Sequence, residues 1–98
     1  MKMNLTELLH LKKEEVQRIA RQHGATNLRV FGSVARGEAK EGSDLDLLVE
    51  MEPGRSLLDL VAIKQDLEDL LGCKVDVVTE AAVSPYLRAR VVNEAVLL

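Results

Sequence analysis

Ninety-eight residues with 13 basic and 16 acidic side chains, a formal net charge of −3, suit one domain spanning residues 1–98 and leave no room for a second core. The balance lacks the basic excess of a dedicated duplex-DNA binder, and no apolar run approaches the ~18 residues needed to span a bilayer. A single cysteine excludes an internal disulfide and a Cys-rich zinc site, and MKMNLTELLH has no signal-peptide layout, so a cytoplasmic protein is expected.

Phe31 and Tyr86 are the only aromatics, so Leu, Val, Ile and Ala must build the core. Leu5, Leu8 and Leu9, then Val16, Ile19 and Ala20, recur at helical spacing with charged residues between them. The pattern predicts a helix from Lys12 to His23, stopped by Gly24 and preceded by either a short helical turn or a continuous extension. His10 and His23 read as surface residues, because no second His or Cys lies at metal-binding spacing.

Leu28 to Phe31 predicts a short strand ending at Gly32, and Ser33 to Gly37 a turn or short helix. A polar loop over residues 38–42 leads to a second strand, Leu45 to Met51, closed by Pro53-Gly54. Ser56 with Asp59 has the spacing of a capping box. Leu57, Leu60, Val61, Leu67, Leu70 and Leu71 then trace an apolar stripe up to Gly72, interrupted by Lys64, which is expected to snorkel. Cys73 reads as a small apolar filler.

Lys74 to Thr79 predicts a third strand in which Val75 and Val77 alternate with Asp76 and Val78. Ser84-Pro85 supplies an N-cap and a first-turn proline for a helix from Tyr86 to about Ala95. Tyr86 is expected to pack with its hydroxyl in water, Arg90 to lie on an exposed face, Arg88 to lie there or to contact an RNA-bearing or acidic partner, and Val96-Leu97-Leu98 to suit an interface. The expected fold class is α/β (α+β), with a small mixed β-sheet flanked by helices.

Alternate residues of a strand share a face, so Asp44 and Asp46 project side by side about 6–7 Å apart at their backbones. Carboxylates on a greasy strand are costly unless a cation compensates them. A third strand lying beside the second brings Asp76 to the same end of the sheet. Such hard oxygen donors suit Mg²⁺, and a pair of these ions can hold both the attacking and the leaving oxygen of an in-line displacement. Gly32-Ser33 lets backbone approach a phosphate closely. Arg36 can add a charge-assisted phosphate contact, or simply pair with Glu38 or Glu41. The spacing fits neither a calcium loop nor a Walker A motif.

The segments Phe31-Gly32-Ser33-Val34-Ala35-Arg36-Gly37, Ser43-Asp44-Leu45-Asp46-Leu47-Leu48-Val49 and Val75-Asp76-Val77-Val78-Thr79, with the ending Leu87 to Ala95, are spread along most of the chain. In these the sequence resembles the minimal nucleotidyltransferase (MNT) branch of the DNA polymerase β-like nucleotidyltransferase superfamily, found as antitoxins beside HEPN-domain RNase toxins. The resemblance implies that Asp44 and Asp46 bind Mg²⁺, that Asp76 activates the acceptor hydroxyl or holds a metal, and that Gly32 and Ser33 hold the triphosphate of ATP. It further implies AMP transfer onto a tyrosine of a partner HEPN toxin, in some members repeated into a short oligo-AMP. Once the sheet and helices are built, no residues remain for a separate acceptor-binding domain. The acceptor is therefore expected to be a macromolecule with its own docking surface. Two alternatives stand beside this: an antitoxin that only binds and occludes its partner, and a nucleotide sensor or small-molecule nucleotidyltransferase.

Overall fold

In the computed structural model, which describes residues 4–40 and 42–98, β1 (Ala25–Phe31) and β2 (Leu45–Met51) form the antiparallel centre of a four-stranded sheet. The order is β3-β2-β1-β4, with β3 (Val75–Val78) parallel to β2 and β4 (Val96–Leu97) antiparallel to β1. The sheet is mixed, as the sequence predicts. Strand alternation gives it two unlike faces. Leu45, Leu47 and Val49 of β2, with Ala25, Leu28, Val30 and Val75, meet the helices α1 (Leu5–Leu11), α2 (Lys13–Gln22) and α4 (Leu57–Leu71). Each large aliphatic side chain buried there contributes roughly 1.5–3 kcal/mol of transfer free energy, so this layer holds the domain together. The other face carries Asp46 and Leu48 of β2 and Asp76 and Val78 of β3. There the helix α5 (Pro85–Glu94) touches β1, and a 3-10 turn at Glu80–Ala82 touches β2.

Several expectations hold locally. Ser56 caps α4 in a full capping box with Asp59, and Gly72 ends the helix in a left-handed conformation at φ +68° that a side chain would strain. Cys73 packs partly buried against the core.

Of the two arrangements open for the N-terminal pattern, a separate short helix is the one present: Asn4 caps α1 by accepting from Glu7 N at 2.8 Å, and Lys12 breaks the run at φ −101°, ψ 15° before α2. Other expectations need correction. β1 begins at Ala25 rather than Leu28, because an irregularity between Thr26 and Arg29, with Asn27 at φ 49°, extends its pairing to Met51. The inward face of α4 is Ile63, Leu67 and Leu71, whereas Leu57 and Val61 are exposed. Tyr86 does not pack: it is 93% exposed. Ser84 occupies the N-cap of α5 without a side-chain capping bond. The apolar chain end is strand β4, with Leu98 N donating to Leu28 O at 3.0 Å and Gln17 Nε2 donating to Leu98 O at 3.1 Å.

Candidate active site

The polypeptide leaves β1 at Phe31 and turns at once into the short helix α3 (Gly32–Ala35), closed by Arg36 N donating to Gly32 O and Glu38 N to Ser33 O. Buried Val34 anchors this bend, and Ser33 is half-buried. Gly32 lies at φ +74°, and a Cβ there would collide with the Asp46 carboxylate. The glycine is thus required twice, by its backbone and by the acid packed on it.

Register brings that acid to its neighbours. Asp46 pairs with Phe31 across the antiparallel ladder and with Asp76 across the parallel one. Burial, then the charges of Asp76 and Asp44 and a hydrogen bond with Asp76, push the Asp46 carboxyl above the usual carboxylate range, while Arg36 pulls it back. Asp44 and Asp76 are exposed, so the three-acid group opens to solvent at one end of the sheet. The structure therefore gathers Asp44, Asp46 and Asp76 beside the Gly32-Ser33 bend.

Arg36 also reaches this end, but it is engaged. Its Nε donates to Glu38 Oε2 at 3.0 Å, and its Nη1 contacts both carboxylate oxygens of Glu94 at 3.2 Å. These glutamates hold the guanidinium pKa above its ordinary value, Glu38 foremost. A phosphate must compete with them for Arg36. Glu41, the other expected partner, lies outside the described residues.

Among the described residues, no three His, Cys, Asp or Glu side chains already stand in chelating geometry. The donor chemistry nevertheless fits a hard divalent cation. Three carboxylates crowd one another, and after burial that crowding is what raises Asp46. A divalent ion would relieve the repulsion, held by Asp44 and Asp46 with Asp76 beside them.

Two features escaped the sequence reading. Lys64 does more than snorkel: its Nζ donates to Glu68 Oε2 at 2.8 Å and to Val75 O at 3.0 Å. The i,i+4 spacing of Lys64 and Glu68 was the available signal. His23 stays structural, its Nε2 lying 3.0 Å from Asp66 Oδ2 and tying the end of α2 to α4.

Comparison with known proteins agrees with this architecture. The family profile described as nucleotidyltransferase domain matches residues 12–98. A candidate protein adenylyltransferase of Methanocaldococcus jannaschii is 47% identical over 96% of this chain and 97% of its own. Protein adenylyltransferase MntA of Thermococcus cleftensis is 35% identical over 96% of this chain and 95% of its own. A solved candidate minimal nucleotidyltransferase superposes with a TM-score of 0.86 at 53% identity, covering 98% of this chain and 97% of that one. A chain of the toxin–antitoxin MntA–HepT shares the fold, with a TM-score of 0.65 at 20% identity over 88% of this chain and 68% of that one. The match spans the bend, all three acids and the sheet that aligns them, and the chain belongs to the nucleotidyltransferase domain family.

Proposed function

We propose that this nucleotidyltransferase is a Mg²⁺-dependent protein adenylyltransferase that moves AMP from ATP to a hydroxyl of a partner HEPN toxin, a tyrosine by resemblance, and so neutralises it. The observation that carries the reading is the register of Asp46 with Asp76, with Asp44 in electrostatic reach, beside the Gly32 bend. Support for the acceptor class comes from the MntA relative, a protein adenylyltransferase, and from the fold shared with MntA–HepT.

In this reading the acceptor oxygen attacks the α-phosphorus of ATP, the bond to the β-phosphate oxygen breaks, and pyrophosphate leaves. Asp76, exposed at the rim, takes the acceptor's proton as general base. Gly32 and Ser33 hold the triphosphate by backbone amide and hydroxyl, and Arg36 contacts a phosphate oxygen once freed from its glutamates. Asp44 and Asp46 would hold Mg²⁺, one ion or two, which would supply charge neutralisation at the phosphates. Incubation with α-labelled ATP, Mg²⁺ and the cognate toxin should label the toxin, and Asp44→Ala with Asp46→Ala should abolish the label. An unlabelled toxin with folded wild-type protein would contradict the proposal.

Binding without chemistry is the second reading. It draws on α5, which buries no residue and exposes Tyr86 and Leu87. Full neutralisation by the double aspartate variant would favour it.

A further inference from the structure

Among the described residues β3 is an edge strand, so one side of its backbone has no neighbouring strand. Lys74 O accepts from Leu45 N at 2.9 Å, and in a parallel ladder that places the N–H and C=O of Val75 on the free side. An unpaired backbone group beside a core residue is costly, and Val75 is fully buried. Two side chains one turn apart on α4 take the place of the missing strand. Glu68 Oε2 accepts from Val75 N at 3.1 Å, Lys64 Nζ donates to Val75 O at 3.0 Å, and the two side chains bond each other at 2.8 Å.

We propose that Lys64 and Glu68 are positioning residues for Asp76: their clasp on Val75 fixes β3 against β2 in the register that brings the Asp76 carboxylate to Asp46. The functional part of this inference rests on the reading of Asp76 given above. Asp76 is the next residue along the strand, so a slip at Val75 reaches it within one peptide unit. α4 is a suitable anchor, because Ile63, Leu67 and Leu71 are locked in the core while Lys64 and Glu68 lie at its margin. The Lys64 ammonium also feels the charges of Asp76 and Asp44, although Glu68 dominates its environment.

The test is a double-mutant cycle with an independent structural measurement. Lys64→Met should lower turnover in AMP transfer by about 10–100-fold, as losing an outer-shell partner typically does, with KM for ATP within about twofold. In an Asp76→Asn background it should cost little more, and Lys64→Arg should recover most of the rate. Full additivity with Asp76→Asn, or an unchanged rate, would overturn the assignment. Amide exchange decides the matter without activity: Lys64→Met should deprotect Asp76 and Val78, whose amides face β2, along with Val75. Loss confined to Val75 would reduce the clasp to a local cap and overturn the proposal. If Lys64→Met does not fold, Glu68→Gln is expected to give the same pattern more weakly. An inactive wild type would refute the transferase reading, while the exchange pattern would still decide the clasp.

Discussion

Asp46 holds a position that stability alone would not choose. Half-buried, pressed on Gly32 and flanked by two other acids, its ionised form is disfavoured in the folded chain. Its folded pKa is raised, so the stability it contributes is present below the unfolded pKa and lost as pH rises through the folded one. At neutral pH without divalent cations, Asp46→Asn should therefore stabilise the fold. The gain is read as a higher Tm that converges on wild type in acid. Added Mg²⁺ should raise the Tm of wild type and not of the variant. A lower Tm for Asp46→Asn would show that the carboxylate is structural. Asp76 faces the opposite demand in the proposed mechanism, where a general base gives up rate when neutralised. Asp76→Asn should lower turnover by about 10² or more while sparing ATP binding, and a near-normal rate would make it a structural aspartate. These acids and Gly32 were legible in the sequence, because strand alternation and a glycine at a strand end are local signals. The double engagement of Arg36 was not, since Glu94 lies 58 positions away.

Among the elements, α4 shows how far local chemistry reads. Its Ser56-Asp59 capping box and its glycine stop are fixed by neighbours in sequence, and both were expected where they occur. Its inward face was misjudged, because leucines cover nearly all sides of the helix and only packing against β3 and α2 selects Ile63, Leu67 and Leu71. β4 was missed for a related reason: two residues carry no periodicity, and only an unfilled edge on β1 turns Val96 and Leu97 into a strand. α5 is tied down chiefly by polar contacts, namely Glu94 on Arg36 and Arg88 Nε donating to Glu80 O at 3.2 Å. In the proposed mechanism nucleotide phosphate must therefore compete with Glu94 for one guanidinium. Glu94→Gln should tighten ATP binding about 2–5-fold, the equivalent of an exposed ion pair, with no gain in an Arg36→Ala background. Unchanged affinity measured by calorimetry would remove Arg36 from the nucleotide site.

Over the whole molecule, the two faces of one small sheet divide the work. The aliphatic face supplies the stability that lets the other keep three mutually repelling acids and a lightly packed helix. That division was legible, because an acid stands between two aliphatic residues in each strand, Leu45-Asp46-Leu47 in β2 and Val75-Asp76-Val77 in β3. The acceptor was not, since nothing in spacing or composition encodes another protein's hydroxyl; it came from resemblance and is carried by the proposal. No helix among the described residues is long and apolar enough to cross a membrane. The central claim is that the gathered acids transfer AMP to a protein, and the most direct test is the intact mass of the toxin isolated from cells that also make this chain. The toxin should be heavier by whole AMP residues with the wild-type chain, and of unmodified mass with Asp44→Ala and Asp46→Ala. An unmodified toxin beside folded wild-type protein would contradict the account.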